Sequence, residues 1–303
     1  MEFTAQITSI PRNYLPKDFK ITDWQSLQPY FDELLERNIS SNGELEQWMK
    51  DISELEAVIG EDAAWRQIKM TCDTENKALE DAFTFFVMEI QPKIQPYADK
   101  LNHKLINSPF TKQLDQQKYF VYLRNVKKNI ELFREKNIPL QAETAVLGQQ
   151  YGVISGKMTV EMEGREYTLQ QASKFLENPS RPVREEVYFK IQNRRLKDKD
   201  QLNDLFSSLV NKRDQIAKNA GFQNYRDYKF ADLGRFDYTK EDCFQFHDAV
   251  KLQVLPLVDF IYDRKRQKLG LENLRPWDTE AEPEGIKPLT PFKSGDELVN
   301  KTI

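Results

Sequence analysis

Residues 175–230 carry two helical patterns joined by a short turn, and this stretch constrains the fold more than any other part of the sequence. Ser180 is positioned as an N-cap, and Pro182 falls in the first helical turn, where a missing N–H costs nothing. Apolar residues then recur at helical spacing, at Val183, Val187 and Ile191. The pattern predicts a helix that begins directly after Ser180.

A second helix is predicted after the first, and its end is specified. Its apolar stripe consists of Leu202, Phe206, Leu209, Ile216 and Ala220. Gly221 follows as a residue able to adopt the left-handed conformation, and Phe222 supplies the apolar contact after it. The two helices together are predicted to form a helical hairpin.

Arg213 interrupts the apolar stripe of the second helix, three to four residues from both Leu209 and Ile216. An arginine there must reach water or pair with a carboxylate. We favour an ion pair that holds the hairpin against a neighbouring helix, in which case Arg213→Ala should cost about 3–5 kcal/mol. The alternative is a contact to an anion or a substrate carboxylate on a cavity wall.

Three tyrosines near Arg213 allow the same two interpretations. Tyr225, Tyr228 and Tyr238 could line a peptide channel, or they could be core aromatics with one polar tip. No substrate-binding residue can be assigned from the sequence alone.

The first part of the chain reads as a succession of helices. Residues 1–22 are predicted to be an irregular arm, followed by a helix capped by Asp23. The inward stripe of that helix is Trp24, Leu27, Phe31 and either Leu34 or Leu35. Ser41 or Asn42 begins the next helix, which Gly60 is predicted to end.

A long helix is predicted from about Asp62 to Glu89, interrupted afterwards by Pro92 and Pro96. Its stripe is Trp65, Ile68, Cys72, Leu79, Phe83, Phe86 and Ile90. The helical pattern then resumes to Ser108. The next predicted helix, 115–136, has a stripe of Tyr119, Tyr122, Val126, Ile130 and Phe133. Another helix is predicted from Pro139 to about Tyr151.

The pattern changes after residue 151. A β-hairpin is predicted at about 152–169, turning at Glu163-Gly164. After the helical hairpin, a helix is expected from about Thr239 to Leu269, kinked by Pro256 and closed by Gly270.

The last part of the chain is rich in proline, with acidic residues at Glu280, Glu282 and Glu284. It is followed by a capping box at Ser294 and Glu297. The sequence stops soon after this helix begins, so we expect the chain to be the N-terminal portion of a longer protein.

These elements predict a mainly α fold, a multi-helix structure with one small β-hairpin. We expect an N-terminal helical subdomain at 1–150, then the β-hairpin with the helical hairpin and a long helix at 151–270. Residues 271–303 would form a proline-rich linker and the start of a helix leading to an absent catalytic domain.

Composition excludes several classes of partner. The net charge is −4 with acids and bases interleaved, which argues against nucleic acid. No apolar run is long enough to span a bilayer. The two cysteines, Cys72 and Cys243, are far apart and read as buried thiols in a reducing cytoplasm.

Catalytic motifs are almost absent. The two histidines, His103 and His247, do not belong to an H-E-x-x-H helix, and no phosphate-binding, dinucleotide-binding or nucleophile-elbow motif occurs. Cys243 lies four residues from His247, but no third group orients the pair. We therefore predict no catalytic residue and no metal ligand in this chain.

Four segments in a fixed order resemble a known family. They are MTVEMEGREYTLQQASKFL, SRPVREEVYFKI, LVNKRDQIAKNAGFQNYRDYKF and LRPWD. Their order and spacing resemble the N-terminal part of zinc oligopeptidases of the oligoendopeptidase F type, relatives of thimet oligopeptidase. The resemblance covers most of the chain after about residue 60 and is best between 152 and 280.

The resemblance implies a two-lobed helical enzyme whose channel admits short peptides and excludes folded proteins. The family cleaves them with one zinc, held by the two histidines of H-E-x-x-H and a later glutamate. This chain lacks those residues, so it would be an inactive part that forms a channel wall and size gate, with short peptides and the catalytic domain as partners. The alternative is a non-enzymatic α-helical protein- or peptide-binding module, which predicts a long exposed apolar groove. A metal-independent hydrolase is poorly supported.

Overall fold

A computed structural model of the chain describes residues 11–283 and 289–302. These residues form two compact units. The first comprises the described residues up to Val153 together with Asn203–Asp237, and the second comprises Ile154–Leu202 with the described residues from Tyr238 onward. Each unit therefore combines two stretches that are separate in sequence. The three-part division at residues 150 and 270 stays a prediction.

Helices dominate the described residues, so the predicted mainly α fold class is confirmed. The α-helices are α1 (Trp24–Glu36), α2 (Asn42–Cys72), α3 (Lys77–Phe85), α4 (Gln91–Asn107), α5 (Phe120–Leu132), α6 (Ile138–Gly156), α7 (Leu169–Ser173), α8 (Arg181–Lys197), α9 (Lys199–Asn219), α10 (Tyr225–Asp232), α11 (Lys240–Ala249), α12 (Leu255–Lys268) and α13 (Gly295–Thr302). Strands β1 (Thr159–Met162) and β2 (Arg165–Thr168) pair antiparallel, with Thr159 opposite Thr168. None of the helices in the described ranges is long and apolar enough to cross a membrane.

The core of the first unit is built from the inward stripes of α1 and α2. Asp23 caps α1 as predicted, because its Oδ1 accepts a hydrogen bond from the Ser26 N–H at 2.9 Å. The buried residues of α1 are Trp24, Leu27, Phe31 and Leu34. Trp48 of α2 packs fully buried among them, and its indole Nε1 donates to the Leu34 carbonyl at 2.8 Å. The polar tip of this large side chain is thereby satisfied inside the core.

The segment 11–22 contains no helix or strand, as predicted, and one side chain fastens it to α2. The backbone N–H groups of Asn13, Tyr14 and Leu15 donate to the Glu54 carboxylate at 2.8, 3.0 and 2.8 Å. Burial alone would raise the pKa of Glu54, but these hydrogen bonds outweigh it and the pKa lies below its usual value. The first ten residues of the predicted arm lie outside the described residues.

α2 is a single helix of 31 residues where the sequence predicted two. The predicted end at Gly60 is wrong, because Gly60 lies within the helix, which ends at Cys72. A lone glycine costs a helix only about 1 kcal/mol, which the apolar residues on either side override. Two of the inward positions predicted after it, Trp65 and Ile68, are also wrong, because they are 53% and 45% exposed. Phe86 and Ile90 of the same stripe are buried as predicted.

Two prolines follow π-helical turns instead of ending their helices. Pro92 comes after the turn Phe86–Ile90, and Pro256 comes after Val250–Val254. In an α-helix a proline ring collides with the carbonyl four residues earlier, and the proline has no N–H to donate to it. In a π turn a carbonyl accepts from the N–H of the fifth residue after it, so the helix can continue through the proline. The interruption predicted at Pro92 is therefore wrong, and α4 also continues through Pro96.

The predicted inward stripes of α5 and α9 are each wrong at one position, whereas Val126, Leu209 and Ile216 are buried as predicted. In α5 the buried residues include Leu123 and Val126, whereas Tyr122 is 38% exposed. In α9 Leu205 is buried and Phe206 is 63% exposed. Neighbouring positions differ by about 100° around a helix, so two adjacent large apolar residues leave the inward one undecided in sequence.

α9 ends with the C-terminal cap that the sequence predicted at Gly221 and Phe222. Gly221 has a φ of 89°, and its N–H donates to the Lys218 carbonyl at 3.0 Å. The Phe222 N–H donates to the Ala217 carbonyl at 3.0 Å, which completes a Schellman motif. Phe222 then packs against the cluster that contains Ile216 and Ala217.

Asn137 connects the two sequence stretches of the first unit. Its side chain is 1% exposed, and its Nδ2 donates to the Ile216 carbonyl at 3.0 Å. Its Oδ1 accepts from the Asn219 Nδ2 at 2.7 Å. A buried polar group with both ends satisfied fixes the position of α9 beside the chain that leads into α6.

The β-hairpin and α8 form the core of the second unit. The turn residues Glu163 and Gly164 have φ values of 53° and 74°, so both adopt the left-handed conformation that a two-residue hairpin turn requires. Val160 of β1 packs in the same buried cluster as Val187 and Ile191 of α8. The predicted hairpin is confirmed.

Arg184 and Asp278 form a buried ion pair in the second unit. Arg184 is 3% exposed and Asp278 is 0% exposed, and their side chains meet at 2.9 Å. Arg184 also donates to the carbonyls of Asn178, Pro179 and Trp277 at 2.8, 2.9 and 3.0 Å. These bonds join the RPVR segment at the start of α8 to the RPWD segment near residue 277.

Arg181 completes the same network from the first position of α8. Its Nη2 donates to Asp278 Oδ2 at 2.9 Å, and its Nε donates to Oδ1 at 3.1 Å. The backbone N–H of Arg275 adds a further bond at 2.9 Å. The Asp278 carboxylate is therefore fully surrounded by donors, as a buried charge requires.

The helical segment 240–268 of the second unit is exposed along much of its length. Large apolar residues there that are more than half exposed are Phe246, Leu252, Leu257, Phe260 and Ile261. Thr239 and Gly270 bound this segment as predicted, with a capping box at Thr239 and a φ of 65° at Gly270.

The final helix begins as predicted, since the Ser294 Oγ accepts from the Glu297 N–H at 3.1 Å.

Cys72 is exposed, so its prediction as a buried thiol is wrong. Glu284 of the predicted acidic run lies outside the described residues, as does Ile303.

Gly221→Ala is expected to lower the free energy of unfolding by about 1–2 kcal/mol, because alanine must then adopt the left-handed conformation. Gly60→Ala is the matched control and should raise it by about 0.5–1 kcal/mol, since alanine is the better residue within a helix. No atom lies within 4 Å of the added Cβ at either position. The sign of the change in the free energy of unfolding therefore depends on backbone conformation alone. Urea unfolding followed by circular dichroism measures both, and effects of equal sign would contradict the two backbone assignments.

Asp278→Asn is expected to lower the free energy of unfolding by about 3–5 kcal/mol, because Arg184 remains buried without its charged partner. The control is Asp263→Asn, which removes an ion pair to Arg266 from a carboxylate that is 54% exposed. That loss should stay below about 1 kcal/mol. Equal losses in the two variants would argue against a buried network.

The effect of Asp278→Asn should also depend on pH. Burial alone would raise the pKa of Asp278, but the hydrogen bonds from Arg181 and Arg184 outweigh it and lower the pKa. A lowered folded-state pKa gives stability that is fully present above the unfolded pKa of about 3.9 and is lost as pH falls through the folded value. The stability difference between wild type and variant should therefore shrink in acid, and a constant difference would contradict this.

Candidate functional site

Five helices of the first unit, α2, α3, α6, α9 and α10, line a cavity of about 570 Å³. This volume falls within the range of about 300–1,000 Å³ typical of small-molecule sites. The polar side chains that line it include Gln141, Gln149, Arg213, Tyr225 and Tyr228. The end of the helical hairpin and the helix after it therefore contribute to this cavity, together with one face of α6.

Arg213 lies in the cavity wall and has no carboxylate partner among the described residues. Its Nε is buried and makes no hydrogen bond within the described part of the chain. The guanidinium carbon lies 5.8 Å from the centre of the Tyr225 ring, a cation–π contact. The predicted ion pair is wrong, because Arg213 contacts the Tyr225 ring and no carboxylate of the described residues. Its neighbour Lys212 pairs with Glu143 of α6.

Gln149 of α6 supplies a second unpartnered donor to the cavity wall. Its Nε2 is buried and has no hydrogen-bond partner in the ranges that the structure describes. Buried polar groups are normally hydrogen-bonded, and each exception needs a cause. Arg213 and Gln149 therefore each bring to the lining of one cavity a buried donor that no described residue satisfies.

Tyr228 is a buried side chain of the cavity wall, 4% exposed. Burial raises its pKa to about 12, and the nearby Asp232 carboxylate adds to this rise, although a hydrogen bond with the Gln141 side chain acts in the opposite direction. The phenol therefore stays neutral at physiological pH. Tyr225 also lines the cavity, whereas Tyr238 belongs to the second unit and is 45% exposed.

The charged residues of the lining leave one positive charge uncompensated. Lys229 and Asp232 pair with each other at 2.5 Å, and Asp232 is the one carboxylate among the described residues that line this cavity. The Arg213 guanidinium is then the excess charge. The site favours an anion over a neutral or cationic ligand.

The rest of the wall is largely apolar or small. Met70 and Phe83 contribute from α2 and α3, and Ile216 contributes from α9, one helical turn after Arg213. Along α6 the lining residues recur at helical spacing, at Gln141, Thr144, Ala145, Gly148, Gln149 and Gly152. Sequence reasoning missed this face, although a helix face of small and polar residues between apolar neighbours is a signal that could have found it.

A smaller cavity of about 270 Å³ adjoins the same wall. It shares Gln141, Tyr228 and Asp232 with the first cavity and is also lined by Asp99. Burial raises the pKa of Asp99, and the His103 Nε2 lies 3.8 Å from its Oδ2.

The described residues do not contain a zinc site. No group of three or more histidine, cysteine, aspartate or glutamate side chains within them could hold a metal ion. His103 is exposed beside a single carboxylate, and His247 is an exposed residue of α11 in the second unit. A catalytic zinc needs three protein ligands, so these residues do not fit that ion.

Two family models match the chain. One is described as the Peptidase M3 N-terminal domain and matches residues 16–133. The other is described as Peptidase family M3 and matches residues 174–299. The chain belongs to peptidase family M3. The resemblance found in the four sequence segments is thereby confirmed.

Solved structures share the fold of this M3 chain. A protein assigned as an oligoendopeptidase F has a TM-score of 0.82 and 25% identity, over 89% of this chain and 48% of that chain. A protein with the same assignment from Bacillus anthracis str. Ames has a TM-score of 0.86 and 23% identity, over 96% of this chain and 54% of that chain. PZ peptidase A, solved with an inhibitor, has a TM-score of 0.79 and 22% identity, over 89% and 47%.

The M3 chain thus spans about half the length of the solved relatives that it matches. No curated protein matched the chain.

Arg213→Ala is expected to change the free energy of unfolding by less than about 1 kcal/mol, because the cation–π contact that it loses is offset by relief of an unpaired buried donor. Arg184→Ala is the matched control, since it breaks a buried ion pair and should cost about 3–5 kcal/mol. Urea unfolding measures both variants. A loss in Arg213→Ala as large as that in Arg184→Ala would restore the ion-pair interpretation.

Proposed function

We propose that this chain is the non-catalytic N-terminal part of a zinc-dependent oligopeptidase that hydrolyses short peptides inside an enclosed channel. The observation that carries the proposal is the match of two M3 peptidase models along the chain, combined with described residues that offer no zinc site. Hydrolysis then requires ligands and a general base from a catalytic domain outside this sequence.

In this proposal the first unit supplies a peptide-binding wall of the channel. Its cavity of about 570 Å³ combines apolar surface with a few polar groups, as in sites that bind flexible ligands. A cavity of this size accepts the side chains or the end of an extended peptide but not a folded domain. The same wall would act as the size gate.

The exposed apolar residues between 240 and 268 support a large partner surface on the second unit. Side chains such as Phe246, Leu257 and Phe260 are 67%, 61% and 63% exposed, and an exposed patch of apolar side chains marks an interaction site. We assign this surface to the catalytic domain.

The two free cysteines, Cys72 and Cys243, support a cytoplasmic location.

The same apolar surface favours one alternative, a non-enzymatic helical binding module. The two proposals differ in what the surface meets. A module would bind a separate protein or peptide there, whereas a peptidase part would bind its own catalytic domain.

The chain alone, incubated with zinc and then desalted, is expected to retain far less than one equivalent of metal and to leave a quenched fluorescent peptide uncut. It is nevertheless expected to bind the same short peptide, because the cavity wall lies entirely in the first unit. Metal analysis, a fluorescence assay and calorimetry make these measurements.

A folded protein that carries the same peptide sequence in a rigid loop is the matched control, and it should not bind. Peptide cleavage by this chain alone, abolished by a chelator, would overturn the non-catalytic assignment. Equal binding of the folded control would argue against a size gate.

A further inference from the structure

We infer that Arg213 and Gln149 form a subsite for the C-terminal carboxylate of a peptide whose last side chain is apolar. The inference deepens the proposed function and rests on it, because it names the end of the peptide that the first unit holds.

The charge of Arg213 requires an anionic partner. A guanidinium is charged at every physiological pH, and a buried donor without a partner costs free energy. The Nε of Arg213 is buried with no hydrogen bond to any described residue, and Lys229 already occupies the one carboxylate of the cavity. A ligand anion in the cavity would compensate the charge of the guanidinium.

The number of donors points to a carboxylate. Arg213 carries a single charge, as a carboxylate does, and Gln149 adds a neutral amide to the same cavity lining. A phosphate group carries more charge and more oxygens, and proteins usually hold it with several cations or a helix N-terminus. The cavity wall adds just one uncompensated positive charge.

The apolar residues of the wall indicate what is attached to the carboxylate. Ile216 lies one helical turn after Arg213 on α9 and lines the same cavity, as do Met70 and Phe83. A C-terminal residue places its carboxylate and its side chain on one carbon. An apolar last side chain would therefore lie against Ile216 while the carboxylate meets Arg213.

Tyr225 and Tyr228 would complete the subsite without adding charge. Tyr225 holds the guanidinium from one side, 5.8 Å from its ring centre, and so limits the positions that Arg213 can adopt. Tyr228 remains a neutral phenol because its pKa is raised by burial. A neutral wall on this side leaves the attraction between Arg213 and an anion unopposed.

The test compares one peptide in two forms, a fluorescein-labelled pentapeptide ending in leucine, with a free C-terminal carboxylate or with a C-terminal amide. Fluorescence anisotropy measures their affinities for the 303-residue chain. The free acid is expected to bind at least about tenfold more tightly than the amide. Arg213→Gln should abolish that difference by weakening the acid alone, and Arg213→Lys should retain part of it, since lysine keeps the charge but not the planar fork.

Lys218→Gln is the matched control variant. It removes the same charge from the same helix, but its side chain is 64% exposed and pairs with Asp214. It should leave the acid-to-amide ratio unchanged. Circular dichroism and the thermal midpoint establish that each variant is folded.

Each outcome separates the subsite from the proposed function. Equal binding of acid and amide would overturn the subsite while leaving peptide binding intact, and no binding of either would overturn both. A preference for the acid that persists in Arg213→Gln would exclude Arg213 as its source. If inorganic phosphate or acetate binds as tightly as the peptide acid, the site is one for free anions and the peptide assignment fails.

Discussion

The buried pairing of Arg184 with Asp278 is the interaction on which the second unit depends. It joins the first turn of α8 to a segment about 94 residues later, and every oxygen of the carboxylate faces a donor from Arg181, Arg184 or the backbone. Two of the four sequence segments that suggested the family, SRPVREEVYFKI and LRPWD, therefore meet at one charge. Burial by itself would favour a neutral carboxyl there, so the donors must be in place for the native state to form.

Arg213 shows the opposite arrangement of the same kind of side chain. Arg184 directs its guanidinium to one carboxylate and three carbonyls, whereas the Nε of Arg213 meets no acceptor in the described residues. A buried charge with complete hydrogen bonding contributes to the fold, and one without it lowers stability unless a ligand completes it. The contrast separates a structural arginine from one available for binding.

Much of the fold could be predicted from sequence because it depends on local chemistry. The caps at Asp23 and Ser294 and the glycine turns at Gly164 and Gly221 follow from hydrogen bonds and backbone angles within a few residues. Burial was harder to predict, since Phe206 and Leu205 are equally apolar and only tertiary packing chooses between them. Most residues that line the cavity could not be predicted from the sequence, because Gln141 and Gln149 of α6 are far from α9 and α10 along the chain. The missing ion pair of Arg213 could not be predicted either, since which carboxylates lie near it depends on how α9 packs in the folded unit.

The π turns at Phe86–Ile90 and Val250–Val254 have a consequence for comparing this chain with its relatives. Each π turn holds one residue more than an α-helical turn closed at the same place, so the apolar face after it is shifted by about 100° from the face before it. A relative with a regular α-helix there would be one residue shorter, and its sequence would align correctly only with a single gap inside a helix. Alignments that forbid gaps within helices would place every later residue of that helix on the wrong side.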